Sequence, residues 1–278
     1  MQGQIKGWRY YNHAMVPDCS PEEIPDLKPI LDGSIWKLPE KPLLARWTTD
    51  FDCGYETNWW YCVREAPYTM DNLSKSSRKH IRQALSKTDI KIIDQKEYAT
   101  EIYRVYEEAV ERYRNFVDTT TPEEFIKNLN TEKEKIYWGA FDKESGILVA
   151  YMIIQEKNDY VNLCTAKFST RFLRLQASTA MYHVILEYYL NERKFRYVNS
   201  GERNINHETN TQEYKIAKFG YKKAFCSLSI AYAPRIKYII KFLYPIRSLL
   251  KLVDGINFVH KINAVLKMEE IVRSEKKK

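Results

Sequence analysis

Ile136-Tyr-Trp-Gly-Ala-Phe-Asp142, Ile147-Leu-Val-Ala-Tyr-Met-Ile-Ile-Gln155 and Tyr160-Val-Asn-Leu-Cys-Thr-Ala-Lys-Phe168 are three consecutive runs rich in branched and aromatic residues. Each has the length and composition of a strand. The links Lys143–Gly146 and Lys157–Asp159 suit hairpins and are too short for a crossover, so an antiparallel meander is expected. Upstream, Ile90–Asp94 reads as a strand, and Lys96–Asn115 and Pro122–Asn130 read as helices. Downstream come a helix at Leu175–Glu192, a strand at Phe195–Asn199, a helix at Thr209–Phe219 and a strand at Lys222–Ala231. The order is β-α-α-β-β-β-α-β-α-β.

The rest of the chain surrounds this core. Its 278 residues suffice for one large domain or two small ones, and a 44% hydrophobic content supports a substantial core. The net charge of +8 favours an anionic partner: a nucleotide cofactor, a nucleic acid or an anionic membrane face. Twenty-one tyrosines suit either the rim of a core or a groove that stacks on rings and sugars. Five cysteines without a C-x-x-C and without an apolar leader imply reduced thiols and a cytoplasmic protein. The five histidines have no ligand spacing, so no metal is expected.

Three stretches are expected, at 1–87, 88–233 and 234–278. In the first, Leu43–Thr49 and Trp59–Arg64 read as strands of a hairpin, joined by a turn that carries Asp50, Asp52 and Glu56. That turn either holds a cation or is a solvated cap. A helix over Asp71–Lys87, capped by Asp71 or Asn72, puts Lys75, Arg78, Lys79 and Arg82 on one side and turns Ile81 and Leu85 toward a core. The i,i+4 pair Arg78 and Arg82 is a candidate phosphate contact; a solvated basic face is the alternative. In the last stretch, helices are expected at Pro234–Val253, with a kink at Pro245, and at Asn257–Ser274. Ile236, Ile239, Ile240, Leu243, Ile246, Leu250 and Val253 recur at helical spacing. Packing onto the protein itself is the expected use of this stripe, and docking on a membrane surface the alternative. No run is long enough to span a bilayer.

The element order resembles the GNAT (acyl-CoA N-acyltransferase) fold: an α/β architecture with a mixed, mainly antiparallel sheet flanked by helices. Leu73-Ser-Lys-Ser-Ser-Arg-Lys-His-Ile-Arg-Gln-Ala-Leu85 resembles the basic helix of FemAB-type peptidyltransferases. Those relatives transfer an amino acid from aminoacyl-tRNA to a lipid-linked cell-wall precursor. The GNAT pyrophosphate turn has the pattern Gln/Arg-x-x-Gly-x-Gly/Ala; here Arg174 starts it, and Ala177 and Thr179 replace both glycines. Side chains obstruct close backbone approach there, so coenzyme A is expected to bind weakly or not at all. The resemblance leaves Arg171 and Arg174 as side-chain phosphate contacts. The family's general-acid Tyr falls on Ile216, with Tyr214 two residues away on another helix face. Tyr214-Lys215-Ile-Ala-Lys-Phe219-Gly220 resembles the Phe-Lys before Phe-Gly of FemAB-type proteins, lengthened by one residue, which marks Tyr214 and Lys215 as catalytic candidates.

The loop Ser200-Gly-Glu-Arg-Asn-Ile-Asn-His-Glu208 follows a strand end, where open α/β sheets commonly hold ligands. Glu202, His207 and Glu208 are its candidate bases; a polar loop leading to a helix cap is the alternative. No G-x-S-x-G, P-loop or H-E-x-x-H is present. The resemblance implies acyl or aminoacyl transfer to an amino group of a sugar or lipid-linked sugar, in bacterial surface-polysaccharide or cell-wall assembly. It implies acyl-CoA or aminoacyl-tRNA as donor, with tRNA, a lipid-linked acceptor and the inner membrane face as candidate partners. A non-catalytic module that binds RNA or an anionic membrane is the competing reading of the same charge.

Overall fold

Residues 5–111, 120–131, 134–205 and 210–275 are described by a computed structural model of the chain. In chain order the elements begin with β1 (Trp8–Tyr11), β2 (Ala14–Pro17), α1 (Lys28–Leu31), β3 (Leu44–Thr49) and β4 (Trp59–Glu65). There follow α2 (Lys75–Lys87), β5 (Thr88–Ile93), α3 (Ala99–Val110), α4 (Pro122–Thr131), β6 (Ile136–Asp142), β7 (Leu148–Glu156) and β8 (Tyr160–Phe168). The chain continues with α5 (Ala177–Leu186), β9 (Tyr197–Glu202), α6 (Thr211–Phe219), β10 (Lys222–Tyr232), α7 (Pro234–Leu243), α8 (Arg247–Lys251) and α9 (Asn257–Glu275). Contacts divide these into two units: Cys62–Gly201 with Asn210–Lys222, and Met1–Tyr61 with Glu202–Thr209 and Lys223–Lys278.

The first of these units carries the meander. β5, β6, β7 and β8 pair antiparallel in sequence, and β8 then pairs parallel with β9. Residues Leu148 to Ile154 of the central β7 are all buried. α3 packs on this strand and so does α5, which is why it reads as a continuous apolar run and not an alternating one. On β6, Tyr137 and Phe141 join Ile102 and Val105 of α3 in one core layer. Trp138 points away from that layer, its indole N–H donating to the Tyr189 hydroxyl at 3.4 Å. Register shifts after Ala140 and after Ile153 mark bulges on either side of the central strand.

Three local expectations are corrected in this unit. The cap of α2 is Ser74, whose hydroxyl accepts from the Ser77 amide at 3.1 Å; Asp71 and Asn72 lie in a separate 3-10 turn, Met70–Asn72. Ser77, Ile81 and Ala84 form the buried line of that helix, and Leu85 is only half-buried. The single helix expected over Leu175–Glu192 is broken at Gln176, which sits in the left-handed region at φ 55° between a 3-10 turn and α5, and it ends in a π-helical turn, Glu187–Glu192. The end of the helix expected to reach Asn115 lies outside the described residues.

In the other unit, β1 and β2 form a hairpin around Asn12 and His13, both at positive φ (47° and 62°), the geometry of a mirror-image two-residue turn. β3 pairs parallel with β2 on one side and antiparallel with β10 on the other. Both of its edges are taken, so Trp59–Glu65 is not its hairpin partner, contrary to the sequence expectation. The carboxylate turn between β3 and β4 leaves Asp50, Asp52 and Glu56 exposed, while Trp59 and Trp60 are buried. Trp8, Met15, Ile35, Leu38 and Ala45 make a second core. The chain bends through a 3-10 turn at Tyr244–Ile246, as Pro245 requires. The C-terminal stripe splits: Ile240 is buried, but Ile239, Ile246 and Val253 are exposed, so packing onto the protein uses only part of it.

Gly139 shows how tightly the meander is packed. A methyl group there would lie 2.9 Å from Leu148 Cδ1, 3.0 Å from Phe141 Cε2 and 3.1 Å from Ile93 Cγ2. Gly139→Ala is expected to destabilise the protein by roughly 1–3 kcal/mol through overpacking. Urea unfolding checks this, and an unchanged midpoint would show that the layer can relax.

Candidate active site

The site is built where β8 and β9 stop pairing. They share three parallel residue pairs, Tyr160 with Tyr197, Val161 with Val198 and Asn162 with Asn199. The last pair is closed by its side chains, Asn199 Nδ2 donating to Asn162 Oδ1 at 2.9 Å. Beyond it β8 runs on to Phe168 paired with β7, without a continuing ladder to β9. At this fork α6 inserts Lys215, which is buried and donates to the Ser200 hydroxyl. Its ammonium also lies 5.2 Å from the centroid of the Tyr182 ring on α5. Burial lowers the Lys215 pKa from 10.5 to about 8, opposed by the nearby Cys62 thiol. The rings of Tyr182, Tyr214 and Phe219 pack mutually at 5.3–6.4 Å between centroids and supply the apolar wall that causes this.

The turn before α5 lies beside the fork. Thr179, at one of the positions where the pyrophosphate pattern has glycine, is buried, and its hydroxyl lies 2.7 Å from the Tyr214 hydroxyl. The side chain that replaces glycine thus ties α5 to α6. Ala177 is buried at the other glycine position, on the wall of a cleft of about 350 Å³ that Lys167, Ser169, Phe172 and Gln176 also line. Amides at the start of a helix have no intrahelical acceptor and favour anions. Arg174 is exposed. Arg171 reaches the buried carboxylate of Glu108 at 3.5 Å. That same carboxylate takes Arg104 at 3.3 Å and the Ser169 hydroxyl, which moors the turn to α3.

On α2, Lys75, Lys79 and Arg82 are exposed. Arg78 is half-buried and turned back on its own cap region, donating to the Asp71 carbonyl at 3.2 Å with the Asp71 carboxylate at 3.9 Å. His80 meets Lys218 of α6 at 3.0 Å, which joins the basic helix to the helix that carries Lys215.

Glu202 belongs to the other unit. It forms an ion pair with Arg46 and accepts from the Tyr61 hydroxyl at 3.2 Å. Burial, then the Glu202 carboxylate, hold that phenol well above its ordinary pKa. Glu202 is therefore half of an ion pair and not an unpartnered base. His207 and Glu208 lie outside the described residues. Among the described residues no three His, Cys, Asp or Glu side chains gather as metal ligands do. Sequence reasoning did not find Ser200, Tyr182 or Arg46. Nothing in their spacing marks them, because each acquires its role from a partner 15 to 156 positions distant.

Lys215 has a consequence for stability. Between pH 8 and 10.5 the unfolded chain holds a proton that the folded chain has released from this amine, so stability rises with pH across that window. The full effect is on the order of 3 kcal/mol. Lys215→Met is expected to be more stable than the parent near neutrality and to lose this rise. Parallel slopes of unfolding free energy against pH for the two proteins would show that the amine is not desolvated.

No family model matches the chain. A search of curated proteins likewise finds no match. Solved structures do match. FemX aligns over 84% of this chain and 85% of its own, with a TM-score of 0.56 and 10% identity. L-PGS from Bacillus licheniformis aligns over 85% of this chain and 83% of its own, with a TM-score of 0.51 and 14% identity. At such identities the likeness is one of fold, and with the meander and parallel fork it establishes a GNAT-like, FemAB-like α/β architecture.

Proposed function

We propose that the protein is a transferase that moves an aminoacyl or acyl group from an activated ester onto an amino group. The observation that carries this reading is the buried, partly desolvated Lys215 at the fork of β8 and β9. An amine with a pKa of about 8 is mostly protonated at neutral pH yet gives up its proton readily. In the proposed reaction the acceptor nitrogen attacks the donor carbonyl and a C–N bond forms as the ester C–O bond breaks. Lys215 gives its proton to the departing oxygen and is recharged by the proton that the attacking nitrogen loses. Ser200 and the face of Tyr182 hold the ammonium in place. The Tyr214–Thr179 pair fixes the neighbouring turn of α6 and is assigned a positioning role.

The donor is proposed to be an aminoacyl-tRNA and the acceptor an amino group on a lipid-linked sugar. The likeness to FemX and to L-PGS supports an aminoacyl donor. The exposed cations Lys75, Lys79 and Arg82 on α2, with Arg174 near α5, are assigned to its phosphates. Arg78 and Arg171 join them only by leaving Asp71 and Glu108. Coenzyme A is disfavoured because Ala177 and Thr179 occupy the positions where backbone must approach a pyrophosphate.

Incubation with panels of aminoacyl-tRNA and acyl-CoA in the presence of amino sugars, read by product mass, tests the reading. Transfer is expected from aminoacyl-tRNA, and Lys215→Met is expected to lower its rate by about 100-fold or more while the protein stays folded. An unchanged rate in that variant would remove Lys215 from the chemistry, and no transfer from any donor would remove the function. In calorimetry, acetyl-CoA is expected to give no binding at micromolar concentration, with Ala177→Gly tightening it modestly. Micromolar binding by the parent would reverse the choice of donor.

A further inference from the structure

Nine of the eighteen exposed large hydrophobic side chains among the described residues fall between Tyr238 and Phe258. Scattered exposed apolar residues are ordinary, but such a concentration marks an interaction surface. Tyr238, Phe242 and Leu252 are 74–81% exposed, and Ile239, Ile246 and Leu249 continue the surface over α7, the 3-10 turn and α8. The same helix α7 buries Ile240 and half-buries Ile236 and Leu243. It therefore has its inward contact already, and the exposed line is a second apolar face.

The charges around this face are of one sign. From 234 to 261 the chain has six Lys or Arg and a single acid, Asp254. Asp254 is taken up by His260 at 2.9 Å and by Asn263 at 2.7 Å. Arg247 and Lys251 pair with Glu270 of α9. Among the described residues Arg235, Lys237 and Lys241 make no ion pair, and Lys237 and Lys241 sit one turn apart beside Tyr238 and Phe242. Long apolar side chains flanked by cations are the composition of helices that lie in the headgroup region of a bilayer. No helix among the described residues is long and apolar enough to cross a membrane, so such contact is peripheral.

We propose that α7, the 3-10 turn and α8 form a docking surface for an anionic lipid bilayer, with Tyr238, Phe242, Leu249 and Leu252 entering the acyl boundary and Arg235, Lys237 and Lys241 meeting acidic headgroups. A second copy of the chain fits less well. A twofold contact repeats the same patch on both sides and sets these cations against their own copies. The surface is independent of the transfer reaction, since its occupancy is read without donor or acceptor.

Flotation of the full chain with vesicles tests it. Binding is expected to vesicles of phosphatidylcholine containing one-third phosphatidylglycerol, to weaken as salt rises, and to be far weaker on phosphatidylcholine alone. Phe242→Ser with Leu249→Ser, both at exposed positions, and separately Lys237→Gln with Lys241→Gln, are each expected to reduce partitioning by about tenfold or more. Unchanged far-ultraviolet circular dichroism shows that the variants fold, and the two pairs act through different forces. Absence of binding to the anionic vesicles at low salt overturns the proposal. So does equal binding by parent and both variants. A dimer of the parent in light scattering that Phe242→Ser with Leu249→Ser converts to a monomer, without vesicle binding, assigns the face to self-association and also overturns it.

Discussion

Three residue pairs join β8 to β9, and the arrangement around the candidate site follows from their number. A longer ladder would satisfy the backbone groups past Asn162 and Asn199 and close the sheet. Ending the pairing there leaves backbone and side chains that need other partners. Lys215 enters that space and meets Ser200, and its charge is tolerated because the Tyr182 ring presents its negative face. The amine is held by sheet geometry, aromatic packing and one hydroxyl rather than by an acid among these contacts. A carboxylate at the same place would raise its pKa and make it a weaker proton donor.

The meander was legible because hairpin links of three or four residues permit little else. The helix order around it was legible for the same reason: periodicity and short connections are local properties. The pairing of Leu44–Thr49 was not, since its partner β10 is remote and a strand's sequence does not name its neighbour. The Asn12-His13 hairpin was missed because neither residue is glycine, although both take positive φ. At the site, Lys215 and Tyr214 were reached through resemblance, and the reason Lys215 matters, its desolvation, belongs to the packed structure. Glu202 was chosen as a base for its place in a loop; its ion pair with Arg46 joins positions far apart in the chain. Ser74 outcompeted Asp71 and Asn72 as a cap because it stands three residues before the Ser77 amide that its hydroxyl accepts from, a detail that residue preference alone does not resolve.

The C-terminal stripe illustrates a limit of periodicity as a signal. Helical spacing of apolar residues says that one face of a helix avoids water, and it is silent on what covers that face. In α7 two apolar lines run side by side, and only the line containing Ile240 is used inside the protein. The excess of Lys and Arg across 234–261 was visible from the start. It became informative once it was found to border exposed rings.

The unit that holds β1, β2, β3 and β10 is assembled from three separated stretches of chain. Thr49 of β3 must wait for Ser227 of β10, its register partner. On a ribosome making 5–20 residues each second, that delay is on the order of 10 to 40 s. Throughout it the free edge of β3 is an unpaired template, while the contiguous meander has all of its strands available much earlier. Birth of the protein is thus ordered in time: the sheet around the fork can form during synthesis, and the unit begun first is finished last.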